Sequence, residues 1–179
     1  MSNVDVMLIP GQLGQFRVLE MQAKDAGASC WRGQYFDAHA ILHYEDLNPK
    51  IAIIHFGSEI VRHKHVSGQE WEGAIMTVLP EQTRRVLVTS GINTPYEGKT
   101  VAILLGADMI FDDDQLINDQ ELMKQLITRG EATPEEIEQR HQSVEINGKR
   151  EIISLSPEII AHSGYDYGDD YHLKRKEDE

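Results

Sequence analysis

Apolar and polar positions along this chain fall into short runs separated by turn formers, a pattern of β-strands more than of long helices. Residues 4–9 (VDVMLI) stop at Pro10-Gly11 and read as a strand entering a turn. Residues 37–45 (DAHAILHYE) alternate, with Ala38, Ala40, Leu42 and Tyr44 on one face and His39 and His43 on the other. After a turn at 46–50, residues 51–56 (IAIIHF) form a more continuous apolar run. The simplest pairing for that run is an antiparallel one with 37–45, and His55 within it reads as a hydrogen-bonded core residue. Further strands are predicted at 74–79 (AIMTVL), 85–89 (RVLVT) and 100–105 (TVAILL), with 109–111 a short apolar continuation. Residues 16–25 fit two periods. Phe16, Leu19 and Ala23 recur at helical spacing, while Leu19, Met21 and Ala23 recur at strand spacing.

The pattern changes after Asp112-Asp113-Asp114. Asn118, with Glu121 three residues on, predicts a capped helix through Arg129 that Gly130 stops. Its apolar stripe is Leu122, Met123, Leu126 and Ile127. Thr133-Pro134-Glu135-Glu136 opens a second helix, running to about Ser143 with Ile137 as its one strong apolar anchor. Residues 144–153 read as a β-hairpin on Asn147-Gly148, and 157–161 add a helical turn. From 163 the chain is polar and carries Tyr165, Tyr167 and Tyr171, the composition of a mobile tail or of an arm that orders on a partner.

Together these elements predict an α+β, β-rich fold. An antiparallel sandwich or jelly-roll-like barrel is expected over residues 1–111. A helical hairpin and a C-terminal β-hairpin, packed on it as an appendage, are expected over 112–162, and a polar tail over 163–179. Turns every ten or so residues favour this arrangement over a doubly wound sheet.

Composition narrows the function classes. At 179 residues the chain can bury a full core without staples. Cys30 is the single cysteine, so no intramolecular disulfide forms; with no leader pattern, the cytoplasm is the expected compartment. The longest apolar run, residues 101–105, falls far short of the roughly 20 residues of a membrane helix. A net charge of −13 disfavours direct nucleic-acid binding and contact with anionic lipid. The basic runs Arg84-Arg85 and Lys174-Arg175-Lys176 are short, and Glu177-Asp178-Glu179 follows the second at once.

Two stretches carry candidate chemistry. Gly11 and Gly14, between the first strand and the ambiguous 16–25 segment, look like the opening of a nucleotide-binding βαβ unit, where a helix N-terminus faces phosphate. The third glycine and a Gly-Lys-Ser/Thr are absent, so a plain structural turn competes with that reading. His63 and His65 stand two apart and, on an extended strand, aim at one side; Glu70, after a turn at Ser67-Gly68, can swing back towards them. Two imidazoles and a carboxylate suit one divalent transition metal ion with open positions. Gly57, His63, His65 and Glu70 are spaced in a way that resembles the first motif of the cupin superfamily, small jelly-roll barrels in which these residues would supply three metal ligands. Thr77 stands where that motif ends in glycine, and no histidine between His65 and His141 supplies the second motif's ligand. A metal-free strand or loop is the competing account. Cys30, with only Arg32 nearby, reads as a small buried hydrophobe rather than a nucleophile, and Glu70-Trp71-Glu72 as a solvated turn.

The leading expectation is a non-catalytic acidic interaction protein that binds a protein partner or itself as a homo-oligomer, through a sheet edge, the second helix or the tyrosine-bearing tail. The alternatives are a metal-dependent, cupin-like enzyme or small-molecule binder using His63, His65 and Glu70, and a nucleotide or phosphate binder at the Gly11–Gly14 turn.

Overall fold

The computed structural model describes residues 3–9, 16–33, 47–55, 79–89, 102–103, 106–152, 165–167 and 173–175. Its core is one sheet built from β1 (Val6–Ile9), β2 (Cys30–Arg32), β3 (Ile51–His55), β4 (Arg84–Thr89), β5 (Met109–Asp112), β6 (Ser143–Ile146) and β7 (Lys149–Ile152). The spatial order is β2-β1-β3-β4-β5-β6-β7. The pairings from β2 through to β6 are all parallel, and only β6 with β7 is antiparallel. Helices bounded within the described residues accompany it: α1 (Phe16–Asp25), α2 (Asp113–Asn118), α3 (Gln120–Arg129) and α4 (Pro134–Glu138).

The β-rich α+β content is therefore present, but these strands do not form the expected antiparallel sandwich or jelly-roll-like barrel. Both edges of β3 are occupied by parallel neighbours, β1 and β4, which leaves none for the antiparallel pairing with residues 37–45. The physical reason is burial on two sides. Val6, Leu8, Ile51, Ile53, Val86, Val88, Met109 and Phe111 pack into one cluster with Leu19 and Ala23 of α1, Leu116 of α2, and Met123 and Leu126 of α3. On the opposite face Met7, Ala52, Ile54, Leu87 and Ile110 are buried as well. Near-continuous apolar runs such as VMLI and IAII mark strands covered on both faces. The connections 33–50, 56–83 and 90–108 each exceed the dozen or so residues that a parallel crossover needs.

Local corrections have local causes. Ala102 and Ile103, expected in a strand, are helical. Gly106 N–H donates to Ile103 O and Ala107 N–H to Ala102 O, the bond pair that closes a helix over a left-handed residue, and Gly106 has φ +77°. A short apolar run does not distinguish a buried helix from a strand. Residues 16–25 resolve as helix, because Leu19 and Ala23 are fully buried whereas Met21 is 63% exposed. The α3 cap is Asp119, whose carboxylate accepts from Glu121 N–H, and Asn118 closes α2 instead. At α4 Thr133 and Glu136 form the predicted capping box, but the helix ends at Glu138 rather than near Ser143. Asn147 (φ +53°) and Gly148 (φ +80°) turn β6 into β7, as their Asn-Gly sequence predicts.

β6 and β7 extend the same sheet through β5, and α2 and α3 pack over it. In the C-terminal segment, β8 (Tyr165–Tyr167) and β9 (Leu173–Arg175) form a separate antiparallel pair. The strands expected at 37–45 and 74–79 and the helical turn at 157–161 lie outside the described residues. Among the described residues no helix is long and apolar enough to cross a membrane.

Candidate functional site

Strand order fixes where a parallel sheet of this kind offers a crevice. The chain steps from β1 to β2 in one direction, then returns past β1 to place β3 on its other side and continues through β4 and β5. Open α/β sheets take ligands outside the carboxyl ends of the strands at such a reversal. Here that point is the carboxyl edge of β1 and β3, where Ile9 and Ile54 are register partners.

Both candidate stretches follow those two strands in the chain: Gly11 and Gly14 come after β1, and His63, His65 and Glu70 after β3. All five residues lie outside the described residues, as do His39, His43, Gly57, Trp71 and Glu72. Among the described residues, no three histidine, cysteine or acidic side chains converge as a metal site would require.

The described side chains of this edge come from β2 and α1. Gly33 N–H donates to Leu8 O, holding the end of β2 beside β1. The Trp31 ring lies over Gly33, close enough that a β-carbon built there would stand 3.3 Å from it and 3.7 Å from Ile9. Arg32 Nε pairs with Glu20 at 3.3 Å, and Lys24 approaches the same carboxylate at 3.7 Å. The first turn of α1 carries no acidic residue, and Arg17 within it is exposed. Cys30, at the amino end of β2, is half-buried against the core cluster; desolvation, reinforced by Glu20, pushes its thiol up to about 11, so it is protonated and unreactive at neutral pH.

The opposite, amino edge holds a polar cluster that sequence reading missed. Arg84 opens β4 with 1% exposure. Its guanidinium donates to Gly130 O and Glu131 O, both at 2.9 Å, and grips both carboxylate oxygens of Glu136. Arg140 donates from Nε and Nη2 to the two oxygens of Asp108 at 2.8 and 2.9 Å. It reaches Glu81 O at 2.7 Å and Thr83 O at 2.9 Å as well. Asp108 also accepts from Arg85 N–H at 2.8 Å.

Two physical consequences follow. Burial alone would push the Glu136 carboxyl up, but the Arg84 and Thr133 hydrogen bonds and the Arg84 charge outweigh it and hold the group below its ordinary 4.5. Burial, then the charge of Arg140, brings Arg85 down to about 10; its Nη2 reaches Leu79 O at 3.3 Å, and its Nε meets no hydrogen-bond partner. Each buried carboxylate here is fully engaged by a guanidinium, so neither is free to move a proton for a substrate. This edge is a clamp that ties 79–85, 108 and 129–140 together. The signal for it was an arginine pair heading an apolar run, which reads as surface charge until a carboxylate is placed beside it.

Comparison with protein-family models, curated proteins and solved structures finds no match to the chain.

Proposed function

We propose that the chain binds a small phosphorylated ligand of the nucleotide class at the carboxyl edge of its sheet, beside β1 and β3. The observation that carries this reading is the reversal of strand order at β1 in a parallel sheet. Two features agree with it. The Gly11 and Gly14 segment connects β1 to α1, and the first turn of α1 carries no carboxylate to repel an anion. The net charge of −13 argues against long polyanions; one phosphate group answers to its local surroundings instead. Fold alone does not choose the chemistry, so the ligand class rests on the occurrence of Gly11 and Gly14 in the connecting sequence. Thermal melting with adenosine and guanosine nucleotides and with inorganic phosphate tests it. A ligand at a hundred times its dissociation constant adds about 2.7 kcal/mol of stability, and a Gly11→Val/Gly14→Val variant loses that gain. Unchanged melting with every nucleotide overturns the proposal.

A second reading, a binding protein that pairs with itself or a protein partner through a sheet edge, is favoured by β7. This outermost strand shows Ile152 at 81% exposure. Light scattering on the intact chain and on Ile152→Lys tests it; a monomer in both, with no partner retained on the wild-type chain, rejects it.

A further inference from the structure

Beyond β5 the sheet changes character on the face that carries α3. β6 reads SVEI, and its apolar residues Val144 and Ile146 are buried on the far face. Met109 is in register with Glu145, so Ser143 and Glu145 continue the face of Met109 and Phe111. Across the hairpin, Arg150 donates to Ser143 Oγ at 2.9 Å on this same face. The β5–β6 seam is therefore a boundary, apolar on the α3 side and polar on the other. Along it lies a groove of about 390 Å³ between α3, β5 and the turn after β6.

The groove's chemistry can be read from its walls. Met109, Phe111 and Leu126, each under 5% exposed, make the floor, with Leu122 above them. Arg129 and Glu145 close one end through bonds of 2.9 and 3.4 Å, so both carboxylate oxygens are taken. Arg129 also reaches Glu136, which Arg84 shares, and two cations with two anions leave this network neutral. The remaining polar groups along the rim are the carboxamides of Gln115, Gln125 and Asn147, each both donor and acceptor. Among the described residues a charged ligand finds no unpaired counter-ion in such a groove, and a purely apolar one makes no use of the solvated amides at its rim. The polar strip on β6 and β7 also gives the apolar stripe of a partner helix nothing to cover.

We propose that this groove is a binding site for an uncharged, flat ligand that lays an aromatic or heterocyclic ring on Met109, Phe111 and Leu126 and presents a carboxamide or lactam edge to Gln125 and Asn147. It is separate from the carboxyl edge of β1 and β3 and does not depend on that reading.

Benzamide is the probe, with benzoate and benzylammonium as charged analogues of the same shape. Titration into isotope-labelled full-length protein, followed by NMR, reports the side-chain amides of Gln115, Gln125 and Asn147 and the Met109 methyl group. Saturable shifts of these resonances with benzamide, at least ten-fold weaker for either charged analogue, are expected. Gln125→Leu, at an exposed position, weakens benzamide about five-fold, the worth of one neutral hydrogen bond. Leu122→Trp, at a half-buried position, fills the groove and abolishes the shifts while the remaining spectrum stays folded. Equal binding of benzoate, or no saturable shift of these groups with benzamide in the folded protein, overturns the proposal.

Discussion

At the amino edge of the sheet, Arg84, Asp108, Glu136 and Arg140 are almost wholly removed from water and matched in pairs. Around the carboxyl end of β2, the described ion pairs of Glu20 with Arg32 and Lys24 keep between 23% and 59% of their side chains exposed. Charges with access to water gain little from pairing, whereas a buried charge that loses its partner is costly. The amino-edge clamp has committed its charges to architecture, although Asp5 and Lys50 at the same edge stay solvated; the described charges around β2 keep access to water. Substitutions should therefore damage folding at the first edge and recognition at the second.

The largest effect is expected for Asp108→Ala, which strands Arg140 in the interior. About 3–5 kcal/mol of stability is lost in urea unfolding, and replacing the pair together, Asp108→Leu with Arg140→Met, recovers only part of it, because Glu81 O, Thr83 O and Arg85 N–H then lose their partners. Next comes acid. Glu136 titrates below its ordinary 4.5, so its contribution is complete above that pH and is lost as pH falls through the lower, folded-state value. The wild-type chain loses stability on that acid limb, and Glu136→Gln, weaker at neutral pH, shows a flatter one. Gly106→Ala ranks third. A β-carbon there would lie 2.7 Å from His141 Nε2 at a φ of +77°, and the strain costs about 1–3 kcal/mol, read as a lowered urea midpoint. Thr133→Ala removes the α4 cap at a cost of about 1 kcal/mol. Last comes the His63→Ala/His65→Ala double variant, which is read by metal content. Elemental analysis of it against the wild-type chain decides whether those imidazoles hold a metal ion, and equal metal content removes that idea. A comparable loss of stability at both edges would break the contrast.

Legibility in the sequence tracked how local each determinant is. The Asn147-Gly148 hairpin, the Thr133–Glu136 capping box and the Gly130 stop are written within a few adjacent residues, and they are present. Strand direction is not local. The run at Ile51–His55 is equally apolar whether its neighbours run parallel or antiparallel, and only the long connections on each side distinguish the two. The amino-edge clamp was illegible for the same reason, since Arg84 meets Glu136 across 52 positions and Arg140 meets Thr83 across 57. Gly11, Gly14, His63, His65 and Glu70 could be singled out by residue type, but the strand order that sets β1 and β3 side by side at a reversal appears only in three dimensions.

That clamp also bears on the order of assembly. Its partners lie in segments far apart in sequence that the pairing of β4, β5 and β6 brings together, so loop-closure entropy must be met for any guanidinium to find its carboxylate, and late formation of these bonds is the expected order. Contacts that mature late leave the refolding rate nearly untouched and set the rate of escape from the native state. Asp108 and Arg140 thus act as a kinetic latch, and cutting it should shorten the native lifetime far more than it slows refolding.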